Sequence, residues 1–179
     1  MTPVEYKSGA LRAPSNRRSQ HGVGLLEVLL TVLLISIGFL AAAKMQVQGM
    51  RYSQGAYTQA QAYFMITDMM DRMRGNPEAV EAGLYSNKGT TNNIDDPGCN
   101  TNLCSPAQVA AQDLFDWSAM IYPLRKNSKF VPVLPSSDAV QANATITPLA
   151  NGLFQLRANW IERIGNQDAE QQLILEFAL

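Results

Sequence analysis

An apolar run near the start of the chain constrains the fold more than any other feature. From Val23 to Ala43 the sequence has 21 residues, and Glu27 is the only charged one. A helix rises 1.5 Å per residue, so the run is about 30 Å long, close to the thickness of a bilayer core. We therefore predict a membrane-spanning helix over residues 23–45 and a separate folded part over residues 46–179.

The residues before this run are polar and basic. The charged residues of this segment are Lys7, Arg12, Arg17 and Arg18, against Glu5 alone. Residues 1–22 therefore carry +3, and the remainder carries −4, since the whole chain carries −1. Basic residues before a span stay in the cytoplasm, so the folded part is predicted to cross the membrane. An acidic folded part argues against a nucleic-acid partner, which would require a basic patch.

The histidine content excludes the catalytic sites that depend on a histidine. Carboxylate pairs or a lysine could still do chemistry, but no spacing in the sequence indicates them. His21 is the only histidine, and it lies in the basic segment. The folded part therefore lacks the base of Ser-His-Asp and Cys-His sites and the ligands of most zinc sites. No glycine-rich phosphate loop occurs either. We predict no enzyme activity, no metal site and no cofactor.

The junction between the basic segment and the apolar run has a recognisable pattern. It reads Gly22-Val23-Gly24-Leu25-Leu26-Glu27, with the glycine and glutamate in the register of the type IV prepilin processing site, which it resembles. Val23 stands where the family usually has Phe or Met. The resemblance implies cleavage between Gly22 and Val23, removal of residues 1–22 as a leader, and N-methylation of Val23.

Glu27 is an unusual residue for a membrane span. A carboxylate near the middle of a spanning helix costs roughly 2–3 kcal/mol, and less near an end. Such a group is normally kept for a partner, and the amine released at Val23, in the same chain or a neighbour, would attract it in a low dielectric. The alternative is that Glu27 only extends towards the membrane interface.

The helix is predicted to continue beyond the membrane, over residues 23–74. Apolar residues at helical spacing define one face: Ala56, Ala60, Tyr63, Ile66, Met70 and Met73. The pairs Asp68–Arg72 and Asp71–Arg74 have the spacing of helix ion pairs. Gly75-Asn76-Pro77 ends the helix. We predict that the methionine-rich stretch 65–73 packs in the core rather than forming a binding face.

Residues 83–104 have the composition of a loop, and Cys99 and Cys104 lie at its end. An oxidising compartment beyond the membrane favours a disulfide between them. A metal pair would require more ligands, and redox pairs usually have two intervening residues.

The remaining sequence predicts one helix and an antiparallel sheet. Ser105 and Gln108 form a capping box with Pro106 at the first helical position. The helix runs to about Ile121. Three segments alternate apolar and polar residues: 140–146, 154–160 and 173–179. Asn151-Gly152 predicts a tight turn, and 165–168 a hairpin loop. One face of a sheet of three or four strands is predicted to cover the long helix.

Two further stretches resemble one branch of the pilins. They are Asp68-Met69-Met70-Asp71-Arg72-Met73-Arg74-Gly75-Asn76-Pro77, and Cys99 and Cys104 followed by residues 105–114 and Trp117. Both are similar to stretches of the PilV minor pilins, the type IV pilus modification proteins. The resemblance implies an α+β, type IV pilin-like fold, in which a long N-terminal helix packs on a small antiparallel sheet.

The resemblance also implies a role. The chain would be a minor pilin that primes type IV pilus assembly, lies in or near the tip and supports twitching motility and adhesion. Its implied partners are other minor pilins, the major pilin, the prepilin peptidase, the inner-membrane assembly platform and a tip adhesin. It would start in the bacterial inner membrane with its head in the periplasm and end in the pilus. The alternative is a minor pseudopilin of a type II secretion system, which gene neighbours would distinguish.

Overall fold

In the part of the chain that the structure describes, the fold combines one long α-helix, two shorter α-helices and a small sheet. A computed structural model describes residues 24–99, 101, 103–125, 129–164 and 167–179. The elements are α1 (Leu25–Gly75), α2 (Pro77–Glu81), β1 (Lys88–Gly89), α3 (Pro106–Ser118), β2 (Asn143–Pro148), β3 (Leu153–Ile164) and β4 (Gln167–Ala178). The chain divides into two compact units, residues 1–45 and 46–179. The predicted α+β arrangement, a long helix packed on an antiparallel sheet, is confirmed.

Helix α1 has 51 residues and contains no proline. It continues well past Ala43, as predicted. It ends at Gly75 because Pro77 restricts the residue before it to non-helical backbone, and Asn76 has φ −134° and ψ 63°. Pro77 then occupies the first turn of α2, where its missing N–H leaves no bond unmade.

In the first unit, every described residue from 24 to 45 is exposed. Leucine, valine and isoleucine side chains project from all sides of the helix, and Leu25 and Leu26 are 79% and 80% exposed. A helix that is apolar on all sides is not suited to water, because no polar face remains to be solvated.

The second unit contains the sheet, in which the strand order is β1-β2-β3-β4 and all neighbours are antiparallel. The predicted alternation is clearest in β3, where Phe154, Leu156, Ala158 and Trp160 are buried. Asn151 and Gly152 have φ of 60° and 73° in the turn between β2 and β3, a conformation that asparagine and glycine tolerate. The predicted turn is therefore confirmed.

Two strand assignments from the sequence are wrong in detail. The predicted loop 83–104 contributes the short strand β1, in which Lys88 pairs with Ile146. The predicted hairpin loop 165–168 is too long, because Gln167 and Asp168 belong to β4, where Asp168 pairs with Arg163. Residues 165 and 166 lie outside the described residues.

The core of the second unit lies between α1, α3 and the sheet. Ala62, Met65, Ile66, Met69 and Met73 of α1 are buried there, so the prediction of a methionine-rich core is confirmed. The predicted face of α1 is partly wrong. Its buried face is turned by about one residue, so Ala56, Ala60 and Tyr63 are exposed while Ile66 and Met73 are buried as predicted.

Helix α3 follows the sequence prediction closely. The Ser105 side chain accepts from the Gln108 backbone, and the Gln108 side chain accepts from the Ser105 backbone. Its predicted inner face, Ala110, Leu114, Trp117 and Ile121, is buried. The helix ends at Ser118 rather than near Ile121, which lies in a following turn closed by a bond from its N–H to the Ser118 carbonyl.

Candidate functional site

Glu27 lies in the first turn of α1. Its backbone N–H donates to the Gly24 carbonyl over 2.9 Å, which starts the helix immediately after Gly24. A carboxylate in the first turn interacts favourably with the unpaired N–H groups of the helix end. Its side chain is exposed among exposed leucines and valines, and no ion pair to it occurs among the described residues. The structure thus presents an acidic group on an otherwise apolar helix surface.

The hydroxyl groups of the apolar part are satisfied within the helix. Thr31 donates to the Val28 carbonyl over 2.9 Å, and Ser36 donates to the Val32 carbonyl over 2.7 Å. In lipid such internal bonds are required, because no water is present to accept them. By length and composition this helix is able to span a membrane.

A cluster of ion pairs anchors the far end of α1. Arg72 contacts Asp68 over 2.8 Å within α1, and it contacts Asp113 and Asp116 of α3 over 3.1 Å and 3.4 Å. Burial by itself would lower the pKa of Arg72, but hydrogen bonds and the charges of Asp68 and Asp113 raise it overall. Arg72 therefore remains charged and ties α1 to α3.

A buried polar chain extends from this cluster. Tyr85 donates its hydroxyl to Asp113 Oδ2 over 2.6 Å, and Asn76 Nδ2 donates to the Tyr85 hydroxyl over 3.3 Å and to the Pro106 carbonyl over 2.8 Å. Burial raises the pKa of Tyr85, and the hydrogen bond to the Asp113 carboxylate and its charge raise it further. In this hydrogen-bonded series the Asn76 Nδ2, the Tyr85 hydroxyl and both Asp113 carboxylate oxygens have partners, as a low dielectric requires.

The disulfide is joined to the same network. Cys99 and Cys104 are bonded to each other. The Cys99 N–H donates to Gln112 Oε1 over 3.0 Å, and Gln112 Nε2 donates to Asp116 Oδ1 over 3.1 Å. Cys99 is thereby bonded to Gln112 of α3, and Gln112 in turn donates to Asp116, which also accepts from Arg72.

The predicted site residues have different outcomes. Cys99 and Cys104 are brought together, whereas Glu27 has no ion-pair partner among the residues that the structure describes. Gly22 and Val23 lie outside the described residues, so their cleavage and methylation stay predictions. Sequence reasoning missed the joint role of Asn76, Tyr85 and Asp113. A signal was present, because Asp113 lies on the apolar face of α3 between Ala110 and Trp117.

The two stretches that carry the resemblance contact each other. The first supplies Arg72 and Asn76, and the second supplies Asp113 and the Pro106 carbonyl. Trp117 also donates its indole N–H to the Met65 carbonyl over 3.1 Å. The contact between the two stretches therefore explains why these residue types occur in both of them.

Comparisons with known protein families, with curated proteins and with solved structures found no match.

Proposed function

We infer that the chain is a minor pilin subunit of a type IV pilus, held by α1 first in the inner membrane and later in the filament. The observation that carries this proposal is one continuous helix whose first part is apolar on all sides and exposed, with Glu27 in its first turn, and whose last part belongs to a folded unit. A helix of this kind has two suitable surroundings, a lipid bilayer or a bundle of similar helices.

The apolar part supports both surroundings. Its exposed side chains include no charged residue between Glu27 and Lys44, so it is compatible with a bilayer core. The same side chains would pack against equivalent helices if the subunit left the membrane. A change between these surroundings costs little, because lipid tails and packed leucines are similarly apolar.

Glu27 supplies the specific contact in this proposal. The pilin-like processing that the sequence predicts would leave a methylated amine at Val23. That amine and the Glu27 carboxylate of the same chain or a neighbour would neutralise each other within a helix bundle. An unpaired charge there is costly, so the pair would favour one axial position of each subunit over others.

The test is replacement of Glu27 in a strain that lacks the wild-type copy. Glu27→Ala and Glu27→Gln should leave membrane insertion and leader cleavage intact, and they should reduce the share of mature protein in sheared pili. Glu27→Asp should have a milder effect, since it keeps the charge. Glu81→Ala, which removes an exposed carboxylate from α2, is the matched control. Wild-type piliation and incorporation with Glu27→Ala would contradict the proposal.

A second experiment tests the predicted processing directly. Gly22→Ala should block cleavage, because a peptidase needs close approach to the backbone at that point. The variant should then keep residues 1–22 and run about 2 kDa above the mature wild type, using roughly 110 Da per residue. Equal mobility of the two proteins would contradict cleavage at Gly22.

A further inference from the structure

Strand β4 is the long outer edge of the sheet. It has 12 residues and pairs only with β3 in the described structure. The opposite edge strand, β1, has 2 residues. Natural proteins usually protect an edge with proline, with charged side chains, above all lysine, or with a covering element. Strand β4 contains neither proline nor lysine, so a long template for strand pairing is left available.

The register shows which backbone groups of β4 point outward. The Ile161 N–H donates to the Pro135 carbonyl over 3.1 Å, away from β4, and Ile161 lies opposite Glu170. In an antiparallel ladder, a residue pair either exchanges both hydrogen bonds or directs both away. Glu170 therefore directs its N–H and carbonyl outward. Because the pairs alternate, the same holds for the other even-numbered positions of β4: Asp168, Gln172, Ile174 and Glu176.

The outward-bonding residues also carry the negative charge of the strand. Their side chains lie on the exposed face of the sheet, and β4 has three acidic residues, Asp168, Glu170 and Glu176, with no basic one. Arg163 of β3 pairs with Asp168 over 3.0 Å. Glu176 accepts only a neutral hydrogen bond, from Gln155, among the bonds seen in the described residues. Arg157 and Arg163 of β3 lie on the same face, but the edge strand itself carries only acidic charges there.

The other face of β4 borders an apolar groove on α1. The groove has a volume of about 410 Å³ and is lined by Ala56, Gln59, Ala60, Tyr63 and Leu173. Tyr63 is 54% exposed, and Leu173 and Leu175 are only half-buried. All of these residues belong to the second unit. An added strand would place every second side chain over this groove.

We propose that the β4 edge is a strand-addition site for an extended segment of a partner protein in which basic and apolar residues alternate. Residues opposite the even-numbered positions would exchange backbone hydrogen bonds with β4, and their basic side chains would face the carboxylates. The intervening apolar side chains would enter the groove beside Ala60 and Tyr63. A second copy of this chain is a poor occupant, because two acidic edges would meet.

This site is separate from the proposed assembly contact at Glu27, so the two proposals fail independently. The probe is a capped ten-residue peptide of alternating lysine and valine, titrated into the full chain in detergent micelles. Binding should occur below about 1 mM. The amides of Gln172 and Ile174 should become protected from hydrogen exchange, whereas the amide of Leu173 should change little because it already bonds to β3. Absence of binding at this concentration would overturn the proposal.

Two control peptides separate strand addition from simple charge attraction. A glutamate–valine peptide should bind at least about tenfold more weakly, since it repels the acidic face. The second control is the lysine–valine peptide with a methyl group on the backbone nitrogen of each lysine. It keeps its side-chain charges but loses the lysine N–H groups that would donate to β4, and it should not bind. Equal binding of the methylated and unmethylated peptides would overturn strand addition.

A variant pair tests the groove. Ala60→Glu should weaken binding of the lysine–valine peptide by about tenfold, because the glutamate fills the groove. Charge attraction alone would instead strengthen it. Ala107→Glu, at an exposed position of α3, should leave binding unchanged. Unchanged or stronger binding to the Ala60→Glu variant would show that the groove does not take part.

Discussion

The two parts of α1 have the same backbone conformation and different surroundings. In the first unit the helix is densely apolar, and no described residue is buried. In the second unit the helix has fewer apolar residues, and Met65, Ile66 and Met69 are fully buried. Apolarity alone therefore does not determine burial within this chain. The second part packs against α3 and the sheet. The first part requires apolar surroundings, which a lipid bilayer or a bundle of similar helices would supply.

The largest expected effect comes from replacing one isoleucine by alanine in each of the two parts of α1. Ile66→Ala should lower the free energy of unfolding of the second unit by about 3 kcal/mol, since it leaves a cavity in the core. Ile37→Ala should change it by less than about 0.5 kcal/mol, because Ile37 is 56% exposed. Urea titration of the full chain in micelles, followed by tryptophan fluorescence, measures both. Similar losses for the two variants would contradict the difference in surroundings.

The next largest effect concerns the disulfide, which supports α3, one of the elements that pack on the second part of α1. Replacing Cys99 and Cys104 together by serine should lower the free energy of unfolding by about 2 kcal/mol, since only a short loop is closed. Because Gln112 binds the Cys99 N–H, faster amide exchange should reach the middle of α3. The sheet should be little changed. Reduction of the wild type should reproduce the result, and a uniform increase in exchange would show that the bridge is not local.

The tryptophans give a smaller and more specific comparison. Trp117 donates to the Met65 carbonyl of α1, whereas the indole N–H of Trp160 is buried without a partner in the described structure. Both substitutions by phenylalanine remove similar volume. Trp117→Phe should therefore cost about 1 kcal/mol more than Trp160→Phe, because only the former loses a hydrogen bond. Near-ultraviolet circular dichroism during urea unfolding measures the difference. Equal losses of unfolding free energy in the two variants would show that the Trp117 hydrogen bond does not anchor α1.

The sequence predicted those features that depend on local pattern. The capping box at Ser105, the turn at Asn151-Gly152 and the alternation in β3 each follow from neighbouring residues. The inner face of α1 was less predictable. Two stripes of apolar residues fit helical spacing there, and they share Ile66 and Met73. The sheet covers one of these stripes. The other stripe includes aromatic residues such as Tyr63, so from the sequence alone it fits the inner face equally well.

Other features depend on contacts between distant residues. Strand β1 is only Lys88–Gly89 and has no alternation, so it exists because Ile146 and Thr145 lie opposite. The Asn76–Tyr85–Asp113 chain joins residues from three segments. Its members are ordinary loop or helix residues when taken singly. Only the buried position of Asp113 on an apolar face indicated that a polar partner was required.

The last prediction concerns the pH dependence of stability, and it tests whether this hydrogen-bonded series secures the end of α1 through Tyr85. Burial and the Asp113 carboxylate raise the pKa of Tyr85 above its ordinary value of 10.0. The folded state then holds the phenolic proton more tightly than the unfolded state. The resulting stability is fully present below pH 10 and is lost as the pH rises through the folded-state pKa.

Tyr85→Phe has no such proton, so its stability should fall less steeply above pH 10, by up to about 1.4 kcal/mol per pH unit. Tyr57→Phe, which alters an exposed tyrosine, should keep the wild-type slope. Urea titrations from pH 8 to 11.5 measure the three slopes, and identical slopes for wild type and Tyr85→Phe would mean that the Tyr85 hydroxyl does not hold its proton against Asp113.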